Sequence, residues 1–221
     1  MRTLYGHPFS RTQRNIWMLG ELGLEYDLVP IEFLKGQAST PQFLAINPNA
    51  RVPAFVDEDG TTLFESLAIN LYLSRRYPGA LSAQGLVEES LAVQWSLWVA
   101  NEVDVPLLLA AMNHHLFPPE DRDPREAQMA LTKLARPFRV LDDFFRERQP
   151  YLLGDRITVA DINVAAVMTL IPICGIPTDD FPALSDWLHR CQGRPAARAA
   201  WESIDFSIPR PSPEALAAML L

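Results

Sequence analysis

The sequence predicts two units in tandem: a mixed α/β domain over residues 1–77 and an all-helical domain over residues 88–221, joined by a linker at 78–87. Three observations lead there. Strand and helix signals alternate through the first unit in the order β-α-β-α-β-β-α, the pattern of a compact α/β unit. After Pro78-Gly79, apolar residues recur almost only at helical spacing. In the second unit, Arg156-Ile157-Thr158-Val159-Ala160-Asp161-Ile162 carries a full helix start, with Thr158 to cap, Asp161 at N3, and Ile157 and Ile162 at the staple positions. Loss of that cap would cost about 1 kcal/mol.

Each element follows from local signals. Thr3-Leu4-Tyr5 is a β-prone run that stops at Gly6 and Pro8. Ile16, Leu19 and Leu22 then recur on one helix face, with Gly23 as the stop. Glu25 to Phe33 alternates as a second strand, and Pro41 to Ile46 forms a helical turn or two. Val52 to Val56 and Thr61 to Phe64 flank Asp59-Gly60 and read as a hairpin. Leu67, Leu71 and Tyr72 give an amphipathic helix from Glu65 to Tyr77. Beyond the linker, Leu91, Trp95, Trp98, Val105 and Leu109 mark a long helix that Pro106 should kink. Leu131, Leu134, Phe138, Leu141 and Phe145 mark a second one from about Pro124 to Arg148.

Composition excludes several classes. The 221 residues are 48% hydrophobic and 21% charged, as in an ordinary folded chain. Nineteen Lys and Arg against 27 acidic residues give a net charge of −8, which rules out a broad basic face for nucleic-acid phosphates. Cys174 and Cys191 are too few for a disulfide framework. The apolar stretch from Val164 to Ile176 is broken by Thr169, Pro172 and Gly175 and falls short of the ~20 residues a membrane span needs. Met1-Arg2-Thr3-Leu4-Tyr5 has no signal-peptide character, so a reduced, cytoplasmic location is expected. No metal site is expected either: His114 and His115 are adjacent on a helix and point about 100° apart, while His7 and His189 lack ligand neighbours.

Several motifs then coincide. Asn47-Pro48-Asn49-Ala50-Arg51-Val52-Pro53-Ala54-Phe55 is followed by Glu65-Ser66-Leu67-Ala68-Ile69 and by Tyr72-Leu73. With the Thr158/Asp161 box and the tail from Pro182 to Trp201, this order closely resembles the cytosolic glutathione transferases, over residues 1 to about 202. The resemblance implies a thioredoxin-like first domain that binds glutathione, a helical second domain that forms much of the electrophile site, and a homodimer. It also implies a cis Val52–Pro53 bond, with Val52 pairing its backbone to glutathione's cysteinyl part as an added strand. Ser66 would hold the γ-glutamyl carboxylate at a helix N-terminus, and Glu65 would accept from the γ-glutamyl ammonium. Arg51 is the first candidate for the glycyl carboxylate, with Lys35 and Gln42 as others.

The reactive position is expected in Pro8-Phe9-Ser10-Arg11-Thr12-Gln13-Arg14. Ser10 lies four residues before Arg14, which resembles the serine-type (theta, delta and zeta-like) transferases, where such a serine donates to the glutathione thiolate. A free thiol has a pKa near ~8.5, so lowering it by about two units takes ~2.7 kcal/mol of preferential thiolate stabilisation. The alternative for Ser10 is a plain helix cap, a role Thr12 can also fill. No cysteine stands near position 10, which argues against the cysteine-type members, and the zeta Ser-Ser-Cys cluster is missing. Tyr5 falls inside the strand and is expected to pack there.

The resemblance thus implies an enzyme that directs the glutathione thiolate at a small hydrophobic electrophile, with glutathione as cosubstrate and no cofactor, metal, nucleic acid or membrane partner. Asn101, Glu102, Val105, Met112 and His115 are candidates for the electrophile surface. The alternatives are a glutathione-dependent peroxidase or isomerase, or a non-catalytic binding or scaffold protein of the same fold.

Overall fold

The structure is a computed structural model that describes residues 1–204. The sequence places the helical domain out to residue 221, and its final part lies outside the described residues.

Strand β1 (Thr3–Gly6) leads through a turn into helix α1 (Gln13–Leu22), which Gly23 ends at φ +63°. Strand β2 (Asp27–Pro30) follows, then a short helix α2 (Pro41–Leu44) whose N-cap Thr40 accepts from Phe43 N. Strands β3 (Ala54–Val56) and β4 (Thr62–Phe64) form the hairpin, and helix α3 (Ser66–Arg76) completes the first domain. The sheet order is β2-β1-β3-β4. Strand β1 runs parallel to β2 and antiparallel to β3, and β3 runs antiparallel to β4. This is the thioredoxin-like arrangement expected from the sequence.

The second strand is shorter than its alternation predicts. Its last bond to β1 runs from Ile31 N to Gly6 O at 3.2 Å, where β1 itself ends, and the chain then turns into a 3-10 coil at Phe33–Lys35. Tyr5 packs in the sheet as expected, edge-on to Phe43 with ring centroids 6.4 Å apart.

The helical domain begins with α4 (Gly85–Val99). The long helix predicted through Pro106 does not break. It passes through a π-helical turn at Ala100–Asp104, resumes as α5 (Val105–Ala111), and ends in a second π turn at Met112–Leu116. Pro106 removes the amide that would serve the preceding turn, and the wider π turn is where the ladder absorbs that loss. Helix α6 (Pro124–Glu147) starts at Asp123, whose carboxylate accepts from Arg125 N at 2.8 Å, and it runs through the buried Pro137. Helix α7 (Val159–Val167) forms the capping box read from the sequence: Thr158 N donates to Asp161 Oδ2 at 2.9 Å. The other oxygen of Asp161 accepts from Leu152 N and from the Trp187 indole N–H, at 2.8 and 3.1 Å. Three helices complete the described chain: α8 (Leu170–Cys174), α9 (Pro182–Gln192) and α10 (Pro195–Glu202).

One core runs through both domains. Leu4, Trp17, Ile69 and Leu73 from the first domain join Val99, Leu107, Val164 and Trp187 from the second in a single buried cluster. A smaller cluster of Ile31, Ala38, Phe43 and Ala54 covers the other face of the sheet. Truncating a wholly buried leucine such as Leu73 to alanine would cost about 2–5 kcal/mol. A buried amide chain also crosses the seam: Asn15 Nδ2 donates to Asn70 Oδ1 at 2.7 Å, Asn70 Nδ2 to Asn163 Oδ1 at 2.9 Å, and Asn163 Nδ2 to Ser96 Oγ at 2.8 Å. Each of these amides is desolvated, so removing one would leave its neighbour unpaired. The seam that carries the site is therefore held in a fixed geometry.

Candidate active site

Three backbone features of the first domain carry the expected site residues: the turn before α1, the bend before β3, and the start of α3. In the first, Ser10 is half-buried and its hydroxyl donates to His7 O at 2.6 Å. Ser10 Oγ also meets Thr12 Oγ1 at 2.8 Å and accepts from Thr12 N at 3.2 Å. The Ser10 oxygen is thus fixed as an acceptor by the backbone, while its proton turns freely about the Cβ–Oγ bond and can be redirected to an incoming anion. Thr12, the other sequence candidate, is wholly buried, and its Oγ1 accepts from His7 N at 3.2 Å. His7 Nδ1 in turn accepts from Phe9 N at 3.2 Å, which closes the loop.

In the second feature the Val52–Pro53 bond is cis, as the resemblance implies. Pro53 is buried and Val52 half-buried, and among the described residues no hydrogen bond uses the Val52 N–H or C=O. An extended peptide has a free edge there. Arg51 is exposed, and its carbonyl accepts from Asn47 Nδ2 at 2.6 Å. Lys35 and Gln42 are exposed too, with Lys35 paired to Glu32 at 3.0 Å.

In the third feature Glu65 is exposed and holds φ +69°, a conformation that non-glycine residues adopt at a cost of order 1–3 kcal/mol. Its carbonyl accepts from Ile69 N at 2.9 Å, so it starts α3 while its side chain stays outside the helix. Ser66 is 3% exposed and opens the helix. Its carbonyl accepts from Asn15 Nδ2 at 2.8 Å, and its hydroxyl lies 3.4 Å from Arg14 Nη1.

Arg14 links the first and third features, through Asp104 to Arg11 and directly to Ser66, and reading the sequence motif by motif does not find that role. It is buried on α1, with Nη2 donating to Asp104 Oδ1 at 2.6 Å and Nη1 to Oδ2 at 3.3 Å. Arg11, one residue after Ser10, donates Nε to the same Oδ2 at 2.9 Å. Asp104 closes the π turn of the long helix, so a carboxylate of the helical domain clamps Arg11 of the Ser10 turn and Arg14 of α1. Burial alone would push its carboxyl up, but the Arg14 and Arg11 guanidiniums overcome that and hold it at about 2. Burial draws the Arg14 guanidinium down from its ordinary value, with Asp104 opposing. An arginine stays cationic even so. The signal available in the sequence was the Ser10–Arg14 spacing; nothing local pointed to Asp104.

On the long helix, Asn101, Glu102, Val105 and His115 are exposed, as an electrophile surface requires. Met112 is not: at 3% exposure it belongs to the core. The second π turn changes the angular register, so the spacing that grouped Met112 with His115 does not hold. Among the described residues, no group of three or more His, Cys, Asp and Glu is placed to hold a metal, and no helix is long and apolar enough to cross a membrane. Both cysteines are buried, and burial drives the Cys191 thiol far up.

The first domain offers a hydroxyl at one helix start, a hydroxyl and free N–H groups at a second, an unpaired strand edge at Val52, and a buried cation beside Ser66. Such groups suit an extended, anionic peptide. Comparison with known proteins agrees. Residues 2–75 match the glutathione S-transferase N-terminal domain, and residues 105–195 the glutathione S-transferase C-terminal domain. The chain is 30% identical over 211 residues to glutathione S-transferase 1 of Triticum aestivum, covering 88% of this chain and 91% of that one. It is 30% identical over 207 residues to the disulfide-bond oxidoreductase YfcG of Escherichia coli, covering 90% and 94%. Among solved structures, the theta class glutathione S-transferase of Xanthomonas axonopodis pv. citri with glutathione bound superposes with a TM-score of 0.83 at 28% identity, covering 90% of this chain and 96% of that one.

Proposed function

Because the chain belongs to the glutathione S-transferase family, we propose that it is a serine-type glutathione transferase in which Ser10 donates to the thiolate and Val52, Glu65 and Ser66 hold the tripeptide. The observation that carries this reading is the pair of hydroxyls at two helix starts, Ser10 before α1 and Ser66 opening α3, with buried Arg14 reaching Ser66. Glutathione lies along the Val52 edge in extended form, its γ-glutamyl carboxylate at the α3 N-terminus, where free N–H groups and the helix dipole favour an anion. Its sulfur meets the Ser10 hydroxyl, which re-aims from His7 O. A hydrogen bond to a charged acceptor contributes about 1.5–3 kcal/mol, enough for most of the required drop in thiol pKa. Arg51 is the reading's partner for the glycyl carboxylate.

The thiolate then attacks an electrophile held between the Ser10 loop and the long helix. The Escherichia coli relative's name adds disulfides to the candidate acceptors, since the same thiolate attacks a disulfide sulfur. The functional assembly in this reading is a homodimer. Its motivation is an uncovered apolar stripe on α4, where Leu86, Val93 and Leu97 fall at i, i+7 and i+11 and are 81%, 44% and 60% exposed. Phe64 on β4 and Met129 on α6 are exposed as well, at 38% and 63%. The test is retention on immobilised glutathione, followed by turnover with an aryl halide, a hydroperoxide and a disulfide. Retention with turnover of at least one acceptor is the expected result; retention with none would leave a binding protein of the same fold.

A further inference from the structure

Arg11 is placed unlike any other cation of the site. It follows Ser10 directly, yet its side chain leaves the first domain and crosses to Asp104 on the long helix. The guanidinium therefore lies at the seam between the domains, on the residue that follows the proposed thiolate donor. Arg14 already satisfies Asp104 through both terminal nitrogens and is closed off, with its side chain 9% exposed. Arg11 uses only Nε, its side chain is 39% exposed, and among the described residues its two terminal nitrogens have no hydrogen-bond partner. Two guanidiniums thus share one carboxylate, and the uncompensated one is the more exposed. Glu102, two residues before Asp104, leaves the helix on another face and forms no ion pair among the described residues. Val105, one residue on from Asp104, is 40% exposed and is the nearest exposed apolar side chain along that helix.

We propose that Arg11 selects electrophiles that join an apolar, planar body to a carboxylate, with its terminal nitrogens taking that carboxylate and Val105 the body. This rests on the transferase reading above and adds the acceptor's chemical class. The planar fork of a guanidinium matches a carboxylate through two parallel N–H donors. Asp104 behind it is largely buried, with its side chain 15% exposed, so the pair is screened less there than at an open surface. In the reaction, the glutathione thiol gives its proton to water and the thiolate's electron pair forms the C–S bond at the halogen-bearing carbon. The carbon–halogen bond breaks, and halide leaves with the bonding pair.

The test compares 4-chloro-3-nitrobenzoate with its methyl ester, each rate divided by its uncatalysed rate with glutathione. The protein should favour the carboxylate in kcat/KM by about tenfold, the worth of one charge-assisted contact. Arg11→Gln should erase the preference, chiefly through KM, and Arg11→Lys should keep part of it. Glutathione affinity and the pKa of bound glutathione should stay unchanged in Arg11→Gln, which separates selection of the acceptor from a role at the sulfur. A second measurement needs no turnover: calorimetry of 3-nitrobenzoate and methyl 3-nitrobenzoate on the protein, both alone and with S-methylglutathione added, should show the same preference, lost in Arg11→Gln. Equal handling of acid and ester by the parent, or a preference that survives in Arg11→Gln, overturns the assignment. Turnover of the ester without that preference sinks this inference alone. Failure to bind glutathione, with the nitrobenzoate preference intact, sinks the transferase reading instead.

Discussion

Thr12 Oγ1 occupies the space a side chain on Gly6 would need: a β-carbon built on Gly6 would lie 2.0 Å from that oxygen. Gly6 ends β1 at φ +152°, and the absence of a side chain lets Thr12 fold beneath the turn, accept from His7 N and back the Ser10 hydroxyl. The Ser10 loop therefore depends on a glycine outside it.

The first prediction follows from that contact. Gly6→Ala should destabilise the fold by about 1–3 kcal/mol, because Thr12 is wholly buried and has nowhere to retreat. Urea denaturation of the single variant and of the Gly6→Ala/Thr12→Ala pair separates clash from backbone strain. The pair should recover part of what the single variant loses beyond the cost of Thr12→Ala. A single variant as stable as the parent would remove the link between the strand end and the loop.

The second prediction concerns the tripeptide's grip. Ser66→Ala removes the buried hydroxyl beside Arg14, and Glu65→Gln removes the charge while leaving the positive-φ backbone as it is. Each should weaken glutathione binding by about tenfold or more, the worth of one hydrogen bond to a charged group. Calorimetry on the folded variants checks this. Unchanged affinity in both would place the γ-glutamyl group elsewhere.

Much of this was legible in the sequence because it is local. Asp59-Gly60 sets the hairpin, Gly23 stops α1, and Thr158 with Asp161 starts α7, each within a few residues. Val52-Pro53 and Glu65-Ser66 are adjacent pairs in a readable frame. What escaped depends on distance along the chain. Asp104 meets Arg14 across 90 residues, and Asn70 meets Asn163 across 93, so no window contains both partners. Met112 escaped for a different reason. A helix buried on several sides offers more than one apolar stripe, and a π turn changes which residues share one. Strand β2 ended early because the alternation continues to Phe33 while its partner β1 stops at Gly6, a limit set by a distant segment.

The third prediction is the assembly. If the α4 stripe meets a second copy, Leu97→Arg should place a charge in an apolar interface and shift the mass seen by light scattering from dimer to monomer at micromolar concentration. A lone exposed leucine tolerates this change within about 0.5 kcal/mol of stability, so a well-folded monomer is the expected product. A parent that already runs as a monomer would contradict the dimer.

The fourth prediction is a pH dependence. The Asp104 carboxyl is held at about 2, below its ordinary value of 3.8, by Arg14 and Arg11 against the pull of burial. A carboxyl lowered on folding stabilises the native state fully above its ordinary range, and that contribution disappears as pH falls through the folded value. A shift of this size corresponds to about 2 kcal/mol. In urea titrations, Asp104→Asn should therefore be less stable than the parent at pH 7, and the gap should close between about pH 4 and pH 2. A gap of constant size over that range would mean that the carboxylate's charge contributes nothing to the seam.

The last prediction concerns Ser10. Its oxygen accepts from Thr12 N while its proton points at His7 O. If that proton turns to the glutathione sulfur, Ser10→Ala should raise the pKa of bound glutathione while its affinity stays nearly constant, since the proposed grip on the tripeptide is at Val52, Glu65 and Ser66. The hydroxyl favours the ionised sulfur over the neutral one, and a charged hydrogen bond of about 1.5–3 kcal/mol corresponds to a rise of about one to two units. Turnover at neutral pH should fall about tenfold or more and recover in part as pH increases, because more thiolate then forms without help. Ultraviolet titration of the bound thiolate reads the shift directly. Thr12 is poorly placed to substitute, being buried with its oxygen committed to His7 N. An alanine variant that titrates with the parent would make Ser10 a helix cap and move the donor to a backbone N–H of the same turn.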